Sequence, residues 1–238
     1  MSSLATRPTG PGLTETRELI RCVEQDARVD AVAVFGSVAR REAGPRSDID
    51  VLVVHDDTMP DDLDDSLPTT VTMTFYTPTR LAALPTRSPL FAIHLASEAI
   101  TFRDQTGVVA RVLRNIKPLD RQVVTRLGAS TLRRFHDLMD QPRGLDLNPH
   151  AAAAELYALG KQGAMLLCAG RGYNEFNRHR ALSHAYAHAS LSATDRKRVD
   201  DLEQHWHAAR SPDSQSKDPD NVEAAAAAVY RLLTALTG

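Results

Sequence analysis

Two apolar runs separated by a short glycine-containing turn constrain this chain more than any other feature. Residues 31–54, AVAVFGSVARREAGPRSDIDVLVV, predict a strand, a tight turn, a short helix, a loop and a second strand. Both runs are β-branched and apolar. Gly36-Ser37 closes the first, and Asp48 and Asp50 open the second. The chemistry of the chain depends on those two ends meeting in space.

The whole chain, 238 residues with ample apolar content for a core, suits one large domain or two small ones. Lys and Arg total 28 against 30 Asp and Glu, a formal net charge of −2. Such a balance supplies no global basic field for long nucleic acid. The two cysteines, Cys22 and Cys168, fall in helical patterns rather than in a disulfide or zinc framework, so a reducing, cytoplasmic setting is expected. No apolar run approaches membrane-spanning length, and the N-terminus lacks a signal core.

Residues 1–12, rich in Ser, Thr, Pro and Gly, are expected to be disordered. A helix follows over 14–26, capped by Thr14. Strands are expected over 29–35, 49–54, 71–76 and 99–102, with short helices over 38–41, 79–84, 90–97 and 108–116 and an acidic loop over 55–68. Lys117-Pro118 marks a boundary. Beyond it only helical pattern recurs, over 119–139, 149–169 (Asn148 as cap, Pro149 in the first turn), 178–189, a helix capped by Ser192, and 222–236, with a polar loop over 212–219. The expected architecture is an α/β domain with a small mixed sheet over 13–117 and an all-α helical bundle over 118–238.

Asp48 and Asp50 are two apart on a strand, so their side chains share a face. Two carboxylates about 4 Å apart repel by roughly 4 kcal/mol at a surface-like dielectric, so such a pair raises one pKa or binds a cation. Hard oxygen ligands of this kind suit Mg²⁺. Gly36 lets backbone approach a ligand, the helix start behind it favours phosphate, and Ser37 adds a hydroxyl. Ser47 supplies a second hydroxyl or shapes the turn. A phosphate site beside a divalent-metal site is what nucleotidyl transfer from a triphosphate requires.

At FGSVARREAGPRSDIDVLVV the sequence resembles the polymerase-β-type nucleotidyltransferase superfamily, above all its minimal and antibiotic nucleotidyltransferases. The segment LFAIHLASEAITFRDQTGVVARVL resembles the end of that domain. The resemblance implies a Mg²⁺-dependent enzyme moving a nucleoside monophosphate from a nucleoside triphosphate to a hydroxyl. It makes Asp48 and Asp50 the metal-binding catalytic pair. Gly36 and Ser37 hold phosphates, with Ser47 and Arg40 as further nucleotide-binding candidates. In two-domain members a bundle helix faces the nucleotide, which brings in Lys161 as a phosphate ligand and Glu155 as a base. Active members usually carry a third carboxylate on the next strand. Here that strand, TVTMTFYTP, has Thr72 and Thr74, and the substitutes are Asp104, Glu98 or an acid of the 56–65 loop. Family members also often have Gly where Arg41 stands.

Arg178 and His184 loosely fit the Arg-x(4–6)-His signature of HEPN-type helical ribonucleases, against the plainer reading of a polar helix face. A small-molecule acceptor, antibiotic-like, is expected. The alternatives are a toxin–antitoxin-type transferase acting on protein or tRNA, or a nucleotide-binding regulatory domain with little catalysis.

Overall fold

The computed structural model describes residues 10–45, 47–56, 67–140, 149–209 and 222–236. The first nine residues, the middle of the acidic loop (57–66), the Asn148 cap and the 212–219 loop lie outside the described residues. The chain forms two compact units, Met1–Lys117 and Pro118–Gly238.

The first unit opens with α1 (Leu13–Leu19) and α2 (Arg21–Gln25) where one helix is expected. The chain turns at Ile20, which is fully buried together with Val23. The cap is Gly12 rather than Thr14, and the Glu15 carboxylate accepts the Gly12 N–H at 2.6 Å. There follow β1 (Val29–Phe35), α3 (Gly36–Ala39), β2 (Ile49–His55), β3 (Val71–Tyr76), α4 (Pro78–Ala82), α5 (Leu84–Arg87), α6 (Pro89–Glu98), β4 (Ile100–Asp104) and α7 (Val108–Arg114). The sheet order is β3-β2-β1-β4. β1 runs antiparallel to both β2 and β4, and β2 runs parallel to β3. The sheet is therefore mixed, as expected.

β1 and β2 are central and buried on both faces, which is why their runs are continuously apolar. Val32, Val34, Ile49, Val51 and Val53 pack with Ile20 and Val23 from α1–α2. Ala31, Ala33, Phe35, Leu52 and Val54 pack with Leu81, Leu84, Leu95 and Val109 from α4–α7. Phe35 pairs with Asp50 across β1–β2, and Asp50 pairs with Thr72 across β2–β3. Asp50 thus stands at the open end of the face that α4–α7 cover.

The second unit contains α8 (Arg121–Asp140), α9 (Pro149–Gly170), α10 (Arg178–His188), α11 (Ala193–Ala209) and α12 (Val222–Thr234). α9 is the central helix and packs against the other four. Leu156, Leu159 and Leu166 are fully buried on it, and its alanines and glycines let neighbours come close. A methyl at Gly160 would touch Val229 and Val199 at 3.6 and 3.9 Å. Asp120 caps α8 by accepting the Val123 N–H at 2.7 Å, and Ser192 Oγ accepts the Asp195 N–H at the start of α11. No helix among the described residues is long and apolar enough to cross a membrane.

Arg41 has φ 59° in the turn after α3, a left-handed conformation that costs a non-glycine residue roughly 1–2 kcal/mol. Its side chain is exposed. Arg41→Gly should therefore stabilise the protein by up to about 1 kcal/mol after the extra chain entropy of glycine is offset. Urea unfolding of the two proteins measures this directly.

Candidate active site

The two halves of the Gly-Ser…Asp-x-Asp stretch meet at Gly36 and Asp50. Gly36 has φ 74°, a backbone that L side chains rarely adopt. A Cβ built there would lie less than 3.0 Å from Asp50 Oδ2. Glycine is needed twice over, once for the dihedral and once for the space. Asp48 immediately precedes β2, and both aspartates are half-buried. Ser37 is the second residue of α3, directly beside the approach point.

α6 supplies the floor. Glu98, its last residue, accepts the Gly36 N–H at 2.6 Å and Arg40 Nη1 at 2.5 Å, and it forms an ion pair with His94 one turn earlier. Arg40 also reaches Glu42 through Nε at 2.8 Å. Phe35 stands edge-on to both Phe91 and His94, with ring centroids 5.4 and 5.6 Å away. The Glu98 side chain is only 6% exposed. Its burial opposes ionisation, but the hydrogen bond and charge of His94, and then those of Arg40, outweigh that and hold the carboxyl below its ordinary value.

These contacts separate the expected site residues. Gly36 contributes room and not a donor, because its N–H serves Glu98. Arg40 braces the turn between two carboxylates. Ser47 Oγ accepts the Gly44 N–H at 2.8 Å, so it shapes the loop before the acid pair. Glu98 reaches the motif as a clasp on its backbone. Asp104 is elsewhere. It pairs with Ala31, four residues or roughly 13 Å along β1 from Phe35, and its carboxylate accepts the Val109 and Ala110 N–H groups at the start of α7. Thr72 occupies the register position beside Asp50. Among the described residues, no three or more His, Cys, Asp or Glu are grouped to hold a metal ion. Asp48 and Asp50, with glycine clearing the space in front of Asp50, are the donor set that fits a hard cation.

In the second unit, Glu155 pairs with Arg134 at 2.6 Å on an exposed face, and Lys161 Nζ stands 4.4 Å from the centre of the Trp206 ring. Arg178 and His184 do not converge. Arg178 Nε pairs with Glu203 at 2.7 Å, whereas the His184 ring lies parallel to Tyr173. Six residues apart on a helix, the two side chains point about 120° apart, which accounts for the separation. His94 was not singled out by the sequence. The signal was the His94-x-x-x-Glu98 spacing, which puts both on one helical face.

Residues 16–81 match the family model described as the nucleotidyltransferase domain. By this match the segment is similar to a nucleotidyltransferase domain. It spans α1 to α4 and contains every residue of the Gly36–Asp50 approach. The nucleotidyltransferase fold also recurs in spectinomycin adenyltransferase from Enterococcus faecialis, solved with ATP and spectinomycin. That match has a TM-score of 0.55 at 12% identity and covers 95% of this chain and 98% of that one. A nucleotidyltransferase-like protein from Exiguobacterium sibiricum matches with a TM-score of 0.34 at 18% identity, over 92% of this chain and 73% of that one. No curated protein matches the sequence.

Two outcomes follow for the first unit. Gly36→Ala should push Asp50 off its position and cost roughly 1–2 kcal/mol of stability from the left-handed dihedral alone. Urea midpoints of the two proteins check this. For Glu98, a depressed carboxyl contributes stability that is full above the ordinary value of 4.5 and lost as pH falls through the folded value. Glu98→Gln should cost roughly 1–3 kcal/mol at pH 7. That difference should narrow below about pH 4.5 in urea titrations run across pH.

Proposed function

We propose that the protein transfers a nucleoside monophosphate from a nucleoside triphosphate to a hydroxyl of a small molecule, with Mg²⁺ held by Asp48 and Asp50. The observation that carries this is the close approach of Asp50 to the Gly36 backbone, which brings the second acid of the Asp-x-Asp motif to the Gly-Ser turn. When bound, the cation neutralises the phosphates and favours departure of pyrophosphate. Asp48 and Asp50 orient that charge, and the Ser37 hydroxyl donates to a phosphate oxygen. Phe35 and Phe91 keep water from beneath the pair, and the Glu98 clasp holds the turn in place so that the site needs little rearrangement when the triphosphate arrives. In the reaction the acceptor oxygen forms a bond to the α-phosphorus, the bond to the pyrophosphate oxygen breaks, and the acceptor proton passes to solvent or a neighbouring base. The small-molecule acceptor draws support from the adenyltransferase likeness, since that protein was solved with ATP and spectinomycin.

Thr72 favours a second reading. A hydroxyl stands in register beside Asp50, and hydroxyls bind Mg²⁺ weakly compared with carboxylates. A domain built this way would bind triphosphate with little turnover. Incubation with each labelled nucleoside triphosphate, Mg²⁺ and a panel of hydroxyl-bearing small molecules, aminocyclitols and aminoglycosides included, separates the two. Transfer that falls at least a hundredfold in Asp48→Ala, with the fold retained by circular dichroism, is the expected result. Saturable triphosphate binding without transfer to any acceptor would establish the binding module instead.

A further inference from the structure

A second cleft lies on the other side of the sheet. Arg17, Arg21, Glu24, Gln25, Phe102 and Arg103 line it, and its volume is about 540 Å³, within the roughly 300–1,000 Å³ typical of small-ligand sites. Arg103 pairs with Val32 in register, and Val32 belongs to the face that α1 and α2 cover. Asp50 and Phe35 open on the opposite face, so this cleft is separate from the candidate active site.

Three guanidinium groups against one carboxylate leave the cleft with two excess positive charges. Two of them are held in position. Arg17 makes a two-point pair with Glu24, Nε to Oε2 at 3.0 Å, and lies 5.4 Å from the centre of the Phe102 ring. Arg103 donates through Nη1 to the carbonyls of Glu24 and Asp26 at the end of α2. Those bonds occupy Nη1 and leave the rest of its fork to the cleft. Arg21 is exposed and makes no hydrogen bond or ion pair with the described residues. With Arg17 Nε and Nη2 taken by Glu24 and Arg103 Nη1 taken by the carbonyls, two anchored guanidinium charges and the exposed Arg21 fork match a multiply charged anion, and the planar fork suits phosphate oxygens. The Glu24 carboxyl, held below its ordinary value by Arg17, stays ionised and fixes Arg17, so it organises the cleft at the cost of one charge.

We propose that this cleft binds an oligophosphate group without a divalent metal. Phosphate alone and a nucleotide share that chemistry. In a nucleotide, the base would lie against the Phe102–Arg17 stack.

Isothermal titration of the full chain in EDTA and low salt tests this, with tripolyphosphate, ATP and hexaglutamate as separate ligands. EDTA removes any metal-dependent binding at the aspartate pair. Saturable tripolyphosphate binding is expected, weakening as salt rises, falling at least tenfold in both Arg21→Glu and Arg17→Ala and unchanged in Asp48→Ala. Tighter binding of ATP than of tripolyphosphate would place the base on Phe102. Equal binding would assign the site to the phosphates alone. Both support the proposal. It is overturned by absence of saturable binding, by binding that survives Arg21→Glu and Arg17→Ala, or by binding lost in Asp48→Ala. Hexaglutamate binding more tightly than tripolyphosphate would overturn it in favour of an acidic peptide. Arg21 and Arg17 are both largely exposed, and circular dichroism of each variant checks that the fold is kept.

Discussion

The close approach of the Asp50 carboxylate to the Gly36 backbone is the constraint on which the first unit depends. A carboxylate against main chain needs a residue without a side chain, in a conformation other residues avoid. It also needs that main chain to be held. Glu98 does the holding, and a carboxylate this buried is tolerable only because His94, Arg40 and the Gly36 N–H surround it. The apolar packing of Phe35 on Phe91 and His94 then aligns α6 beneath the turn. Removing Glu98 takes the acceptor from the Gly36 N–H and from Arg40 Nη1 at once, so these contacts stand or fall with that one carboxylate.

What was legible in the sequence was what is local. The two central strands, the turn between them and the place of Asp50 on the face of Leu52 and Val54 follow from short-range pattern and a period of two. The mixed sheet and the helical content beyond Pro118 were legible too, because few chain patterns other than strand–turn–strand and helix-only runs fit those stretches. Partners distant in sequence were not legible. Glu98 is 62 residues from Gly36 and 58 from Arg40, and nothing in residue spacing says that its carboxylate closes onto that turn. Asp104 illustrates strand direction. An acid ending the strand after α6 reaches the site or misses it according to which way β4 runs, and its antiparallel pairing with β1 carries Asp104 to the far end. Arg178 and His184 fit a spacing, but their helix sends them to different neighbours.

The register beside Asp50 sets the electrostatic character of the candidate site. A third carboxylate at Thr72 would add mutual repulsion among acids and a stronger pull on a cation. Threonine leaves a pair, and a pair binds a hard cation best when substrate phosphates complete its coordination. On the proposed function, cation and triphosphate therefore depend on one another more than they would in a three-acid site. The Glu98 clasp matters more as well, because a turn already in place spares the phosphates the cost of ordering it.

Net charge hides this division of labour. Summed over the chain, 28 basic and 30 acidic side chains nearly cancel, and no global field steers a polyanion. Locally the cancellation fails in opposite senses on the two faces of one sheet. Asp50 stands at the open end of the α4–α7 side, while Arg17, Arg21 and Arg103 gather on the α1–α2 side. Fields of this kind fall off within about 8–10 Å at physiological salt, so each face presents its own charge to what approaches it. A small anion can therefore be drawn to the arginine face of a protein whose total charge is negative. The same anion is repelled by the aspartate face unless a cation accompanies it.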